Sequence, residues 1–258
     1  MSTHDLEPQL ANLSAYWHAY GREDRGDDPD LAYFVSGMPY PVLNGVTHSA
    51  APAEQLLSRL GDRLAAVPWT WQVTDLAPVG TAQTLLGLGG RDVGAMPVMG
   101  LDVRRYRPLP GSDAPVDIAQ VPDAADLTDW VAAYGPAMGL READFPRLTE
   151  LDAGRDHPPG ALTRFVARVD GRVVATTELL LAGGVAGVYL VATGAAHRRR
   201  GLATALVDAA VRHAIESRVP VVTLQASTAG AAVYARLGFE TVSTIRLVRF
   251  APQVAGAR

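Results

Sequence analysis

Three consecutive arginines and a glycine lie in the segment ATGAAHRRRGLATALVDAAV (192–211), between a predicted strand and a predicted helix. A helix that begins directly after a glycine presents unpaired backbone N–H groups and the positive end of its dipole. Arginine side chains beside such a helix start can pair with phosphate oxygens through two hydrogen bonds each. Residues 198–201 therefore predict a site for a phosphate-bearing ligand, and the alternative is a solvated cluster of charges.

The composition excludes several other kinds of site. The arginine segment lacks the GK[ST] ending of a P-loop and the three glycines of a dinucleotide fingerprint. All 23 basic residues are arginine and there is no cysteine, which excludes lysine Schiff-base chemistry, a thiolate nucleophile, disulfides and cysteine metal ligands. We see no His, Asp or Glu cluster with metal-ligand spacing and expect no metal. The formal net charge of −4 argues against general binding to nucleic acid or to an anionic membrane.

The elements around the arginine segment alternate between strands and helices. In the C-terminal part, hydrophobic periodicity predicts the order β, α, α, β, β, β, α, β, α, β, ending with the strand ETVSTIRLVRF. Asp170 and Gly171 join two runs of β-forming residues, as in a hairpin with a two-residue turn. The helix after the arginines is predicted over 201–217.

A proline-rich segment, YRPLPGSDAPVD (106–117), is the predicted linker between two domains at 1–108 and 113–252. The uncharged stretch 179–196 has the length of a membrane helix, but Gly183 and Gly184 interrupt it. Two buried strands joined by a glycine turn fit this stretch better. The segment MSTHDLEPQL is unlike a signal peptide, so we expect a soluble, cytoplasmic protein, with the Ala, Gly, Arg and Val bias of GC-rich bacterial genomes.

Four segments in sequence resemble the GNAT superfamily of N-acetyltransferases. RRRGLA is similar to the R/Q-x-x-G-x-G/A loop that holds the coenzyme A pyrophosphate, and VYLVAT lies where these enzymes have the splayed strand that pairs with pantetheine. LQAS matches the next strand and its exit, and VYARLGFE resembles the Y-x-x-x-GF signature of the last helix and turn. The resemblance covers about residues 115–250. It implies an α/β (α+β) fold of GNAT type, a mixed and mostly antiparallel sheet flanked by helices, with acetyl-CoA as the acyl donor.

The resemblance assigns cofactor contacts to matching positions. The backbone of Val191, Ala192 and Thr193 is implied to hold the pantetheine arm. Backbone N–H groups and arginine charges are implied to hold the pyrophosphate, and the residues concerned are Arg198, Arg199, Arg200, Gly201, Leu202, Ala203 and Thr204. Ser227 stands where many relatives have an asparagine that contacts the cofactor, a departure from the pattern.

Two residues are candidates for proton transfer. Tyr234 matches the tyrosine that protonates the departing thiolate in this superfamily, and its alternative role is packing of a short helix on the sheet. An ammonium substrate must also lose a proton, and a carboxylate, a histidine or an ordered water can accept it. Glu178, in ATTELLL on the strand before the pantetheine strand, is the predicted base, and its alternative is an exposed edge position.

A faint internal repeat relates the two halves of the chain. Residues 65–93 and 217–242 each begin a strand after Val-Pro and end a short helix in Leu-Gly. The first copy has no arginine loop, and Leu85 stands at the position of Tyr234. The N-terminal half therefore resembles a degenerate GNAT domain, and we predict a tandem arrangement.

The leading hypothesis is an N-acetyltransferase in which a primary amine of a small molecule attacks acetyl-CoA directly, without a covalent enzyme intermediate. One alternative is a protein N-acetyltransferase, and another is a non-catalytic module that senses acyl-CoA. We expect no nucleic-acid or membrane partner, and a monomer or homodimer.

Overall fold

The computed structural model describes residues 2–108, 117–121 and 127–253. The chain divides into two compact units. The N-terminal unit consists of Leu13–Val98 and Ser243–Arg258, and the C-terminal unit consists of Met1–Asn12 and Met99–Val242. Most of the predicted linker, at 109–116, lies outside the described residues.

The first half of the sequence forms three helices and five strands in its described part. In chain order they are α1 (Leu6–His18), β1 (Asp24–Asp28), β2 (Leu31–Val35), β3 (Asn44–Ser49), α2 (Ala53–Leu60), β4 (Trp69–Val73), α3 (Thr81–Gly87) and β5 (Arg91–Asp102).

The second half forms the remaining elements, in the order that the sequence predicts. In chain order they are β6 (Asp117–Val121), α4 (Leu127–Tyr134), α5 (Phe145–Ala153), β7 (Leu162–Val169), β8 (Arg172–Ala182), β9 (Val185–Thr193), α6 (Leu202–Glu216), β10 (Val221–Gln225), α7 (Thr228–Arg236) and β11 (Glu240–Phe250).

The sheet of the C-terminal unit has the strand order β10-β9-β8-β7-β6. Only the β9–β10 pair is parallel among these, because α6 crosses between the two strands. Asp170 and Gly171 both have positive φ, 51° and 76°, which is the two-residue turn that their sequence predicts for the β7–β8 hairpin. Gly183 and Gly184, at φ 63° and 76°, turn β8 into β9, so the uncharged stretch is two strands as expected. Within the described part of the chain, no helix has the length and apolar character needed to cross a membrane.

Helices cover both faces of this sheet. Alternate residues of β8 and β9, including Leu179 and Val188, join a core cluster with Leu206 and Val207 of α6. Helix α4 packs on β8 and β9 as well. The centre of β8 is therefore buried on both sides, which explains why its sequence reads as a nearly continuous run of buried residues.

The N-terminal unit repeats this topology. Its strands lie in the order β1-β2-β3-β4-β11, and its parallel pair, β3–β4, is also bridged by a helix, α2. The series α2-β4-α3-β5 thus corresponds to α6-β10-α7-β11, as the internal repeat predicts. Gly89 and Gly238 follow the two short helices with nearly the same φ, 92° and 94°. The expectation of a mixed, mostly antiparallel α/β fold in tandem is confirmed.

The compact units differ from the predicted boundaries at both ends of the chain. Met1–Asn12 belongs to the C-terminal unit, and Ser243–Arg258 belongs to the N-terminal unit. Residues 246–250 of β11 pair with β4, and Val248 is completely buried in the N-terminal core. Such pairings join residues far apart in sequence, so local composition does not reveal them.

Candidate functional site

Strand β9 leaves its neighbour β10 halfway along its length. The parallel pairing covers 186–188 against 222–224, and the described residues show no pairing of 189–193 with β10. Pairing of β9 with β8 continues on the other side to Thr193, across a register shift between Thr176 and Glu178. Backbone groups of Val191, Ala192 and Thr193 that face away from β8 are therefore available to an extended ligand.

A bulge at Leu190 produces this separation. Leu190 has φ 46°, a conformation that leucine rarely adopts. Two threonine hydroxyls on β8 hold the bulge, because Thr176 Oγ1 donates to the Leu190 carbonyl at 2.9 Å and Thr177 Oγ1 donates to the Tyr189 carbonyl at 3.2 Å. A bulge turns the strand and ends regular pairing.

Buried polar atoms without partners lie at the ends of the separated strands. Thr193 Oγ1 and Gln225 Nε2 are buried and have no hydrogen-bond partner among the described residues. Buried polar groups are nearly always paired, so a ligand or a water molecule can complete the pairing of these two atoms. The strand ends therefore present polar groups that an extended ligand can pair with.

The arginine loop connects β9 to α6. Arg199 has φ 60° and Gly201 has φ 80°, and Gly201 is the residue at which α6 begins. No side chain caps this helix, so the N–H groups of its first turn, from Leu202 to Thr204, have no partner within the helix. The geometry is that of an anion site at a helix start.

The arginine side chains surround this helix start. All three are exposed. Arg198 Nε donates to the Thr193 carbonyl at 3.2 Å, and Arg200 Nη1 lies 3.2 Å from Nδ1 of His197. Arg198 thus ties the loop to the end of β9, and the cluster adds positive charge where the unpaired N–H groups lie.

Two more of the predicted residues, Ser227 and Tyr234, lie at the start of α7 and within it. Ser227 is exposed and caps the helix, accepting a hydrogen bond from the Gly230 N–H at 3.1 Å. Tyr234 is half-buried, its ring packs edge-on against Phe239, and its hydroxyl has no partner among the described residues. Burial raises the pKa of Tyr234 to about 12, so its hydroxyl keeps its proton at neutral pH.

Glu178 is neither at an exposed edge nor on an open cleft wall. It is completely buried, and both carboxylate oxygens accept hydrogen bonds from the Arg155 guanidinium. Arg164 Nε also donates to it, at 2.8 Å. Asp152 Oδ1 lies 3.3 Å from Arg155 Nε, and Asp152 Oδ2 accepts a hydrogen bond from the Tyr134 hydroxyl at 2.7 Å. A carboxylate bound to two guanidinium groups is a poor proton acceptor, so this ion cluster argues against the predicted role of Glu178 as the base.

Sequence reasoning missed several residues near the site. Tyr189 is buried next to the bulge and donates its hydroxyl hydrogen bond to Asn12 Oδ1 at 2.7 Å. Asn12 lies in a helix that the sequence assigned to the other domain, so only the fold reveals this contact. The sequence could have indicated Gln225 as a candidate ligand contact, because its amide ends the mostly apolar strand VVTLQ.

The comparisons with known proteins agree with this geometry. Residues 125–239 match the acetyltransferase (GNAT) family. A GCN5-related N-acetyltransferase from Kribbella flavida is 21% identical, with 96% of this chain and 97% of that one covered and a TM-score of 0.66. A tandem GNAT protein from the clavulanic acid biosynthesis pathway is 16% identical, with coverages of 98% and 97% and a TM-score of 0.59. A GCN5-related N-acetyltransferase from Sphaerobacter thermophilus is 20% identical, with coverages of 76% and 64% and a TM-score of 0.56.

No curated protein matches the chain by sequence. These solved structures are at most 21% identical to this chain in sequence, so their similarity shows the fold alone. The family match, the separated strand β9 and the uncapped start of α6 all fall in the same part of the C-terminal unit. Residues 125–239 therefore form a GNAT acetyltransferase domain, and the chain has the tandem arrangement of this fold.

Proposed function

We propose that the C-terminal unit transfers an acetyl group from acetyl-CoA to a primary amine of a small molecule. The observation that carries the proposal is the combination of a β9 end that pairs with β8 but not with β10 and an uncapped, arginine-flanked helix start on α6. Pantetheine carries amides that the backbone of residues 191–193 can pair with. Its pyrophosphate matches the N–H groups of residues 202–204 and the charges of Arg198 and Arg200.

Tyr234 is the proposed general acid. The amine nitrogen attacks the thioester carbonyl carbon, the C–N bond forms, and the C–S bond breaks. The departing thiolate takes the proton of the Tyr234 hydroxyl, which solvent then restores. A half-buried hydroxyl without a partner, protonated at neutral pH, supports this role.

The ammonium group must lose one proton before attack, and the nitrogen loses a second proton after the C–N bond has formed; we propose water as the acceptor of both. The sequence pointed to Glu178, but the two arginines that bind its carboxylate favour a structural role. Positioning of the amine and acetyl-CoA then supplies much of the rate, without a covalent enzyme intermediate.

Binding of acetyl-CoA is tested by calorimetry on the wild type, Gly201→Glu and Gly80→Glu. Gly201→Glu places a carboxylate at the pyrophosphate position and is expected to weaken binding at least about 100-fold. Gly80 is the matched control, because it also begins a helix, is exposed, and has φ 89° against 80° for Gly201. The backbone strain is therefore comparable in both variants, and Gly80→Glu should bind like the wild type. Folded wild type that does not bind acetyl-CoA would refute the proposal.

Turnover is tested by thiol release over a panel of small amines and one peptide with a free N-terminus. The chain has no cysteine, so a disulfide reagent detects only the released coenzyme A. Tyr234→Phe should lower the rate and retain binding. Tight binding without thiol release for any acceptor would instead favour an acyl-CoA sensor.

A further inference from the structure

Asn12 is the last residue of the first chain segment that belongs to the C-terminal unit. It is part of α1 and is completely buried. A buried amide must find partners for two N–H protons and one carbonyl oxygen. The Asn12 amide forms hydrogen bonds with four residues of the β8–β9 hairpin, about 170 residues further along the chain.

The amide of Asn12 has one orientation that satisfies the hairpin. Its Nδ2 lies 3.1 Å from the Leu180 carbonyl oxygen, 3.0 Å from that of Ala182 and 3.2 Å from that of Val185. Its Oδ1 accepts the hydrogen bond of the Tyr189 hydroxyl. A flipped amide would set an oxygen against three carbonyl oxygens, so the network fixes the side chain.

Gly187 shows how closely this contact is built. A Cβ at this position would lie 2.0 Å from Asn12 Oδ1 and 2.5 Å from Cε2 of Tyr189. Both distances are far below van der Waals contact, so the position requires glycine for space. Asn12, Gly187 and Tyr189 form what we call the Asn12 clamp.

The clamp acts on the residue that precedes the bulge in β9. Burial raises the pKa of Tyr189 well above its ordinary value, so its hydroxyl stays a donor to Asn12. The carbonyls of Tyr189 and Leu190 are held by Thr177 and Thr176. Tyr189 is therefore fixed through both its side chain and its backbone, immediately before the strand leaves β10.

We propose that Asn12 is a positioning residue for the cofactor strand. Through Tyr189 it fixes the Leu190 bulge, and thereby the direction in which residues 191–193 present their backbone groups. The consequence for acetyl-CoA rests on the proposed function, whereas the consequence for the strand does not. Asn12 thus acts on the binding strand of the C-terminal unit, although the sequence assigned it to the degenerate half.

Hydrogen exchange of the ligand-free protein tests the clamp directly. Amides in a peptide covering 189–193 should exchange faster in Asn12→Ala and in Tyr189→Phe than in the wild type. Gln9→Ala is the control, because Gln9 is equally buried on α1 but donates to the nearby carbonyls of Thr3 and Asp5. Exchange at 189–193 that is the same in Asn12→Ala as in the wild type would overturn the proposal.

Calorimetry with acetyl-CoA, far below the unfolding midpoint, tests the consequence for binding. Asn12→Ala and Tyr189→Phe should each raise Kd about tenfold. The double variant should raise Kd no further, because both substitutions remove the same Asn12–Tyr189 hydrogen bond. Gln9→Ala should lower the unfolding midpoint and leave Kd within about twofold. A wild type that fails to bind refutes the proposed function, and the exchange experiment still decides the role of Asn12. Altered exchange with unchanged Kd would restrict Asn12 to a structural role and overturn the positioning proposal.

Discussion

Substitution of Glu178 by glutamine separates a structural from a catalytic role. Glu178, Asp152, Arg155 and Arg164 balance two negative and two positive charges in a fully buried cluster. Glutamine keeps the shape but removes one negative charge, so the two guanidinium groups of the cluster lose one of their carboxylate partners. Breaking a buried ion pair by removing one partner costs about 3–5 kcal/mol.

Asp152 sets where in this range the cost falls. Burial is the largest cause of the raised pKa of Asp152. The charge of Arg155 lowers this pKa, and the charge of Glu178 raises it. Removing that charge makes ionised Asp152 easier to form, so part of the lost compensation returns. We therefore expect a loss near the lower end, about 3 kcal/mol in the free energy of unfolding.

The measurement is urea unfolding, with thermal unfolding as a second readout. A loss of about 3 kcal/mol corresponds to a midpoint roughly 6–12 °C lower in a chain of this size. Glu216→Gln is the control, because Glu216 is exposed at the end of α6. Its free energy of unfolding should change by less than about 0.5 kcal/mol.

Activity measured well below the thermal unfolding midpoint distinguishes the structural role of Glu178 from a catalytic one. The structural interpretation expects kcat of Glu178→Gln close to the wild-type value once the protein is fully folded. An unchanged unfolding free energy with kcat lowered about 100-fold would refute this reasoning and restore Glu178 as the base.

Two further predictions concern pH. Burial, and secondarily the charge of Arg155, lowers the pKa of His157 to about 4. As the pH falls through about 6.5, His157 therefore binds a proton in the unfolded chain but not in the folded protein. The stability that His157 contributes is complete above about pH 6.5 and is lost as the pH falls towards 4. His157→Gln should therefore flatten the dependence of the unfolding free energy on pH between these values. An unaltered slope would contradict this role of His157. Burial raises the pKa of Tyr234 to about 12, so wild-type kcat should show no fall with an apparent pKa near 10. Tyr234→Phe should lower kcat about 100-fold at pH 8, and a fall near pH 10 that the Phe variant lacks would show an ordinary tyrosine.

Local chemistry explains what the sequence predicts well. The β7–β8 hairpin follows from Asp170-Gly171, because both residues tolerate the positive φ that the turn needs. The arginine-flanked start of α6 follows from a glycine and three arginines that are neighbours in the chain. These features depend on residues within a few positions of one another.

The environment of Glu178 shows why the rest could not be predicted. A regular hairpin from the 170–171 turn would place Arg164 opposite Thr177. The structure has a register shift between Ala167 and Arg168, which moves Arg164 opposite Glu178. A bulge of one residue thus turns an apparent lone carboxylate into a member of an ion cluster, and no residue near the bulge announces it.

The membership of β11 in the N-terminal unit has a consequence for synthesis on the ribosome. The core around Trp69 and Trp71 includes Val248, and Gln253 N–H donates to the Ala65 carbonyl at 2.8 Å. These partners are translated only after the whole of Met99–Val242. At ordinary elongation rates the delay is roughly 7–30 s, long compared with the collapse of a small domain. The N-terminal segment therefore leaves the ribosome first but acquires its last strand after the C-terminal segment has emerged.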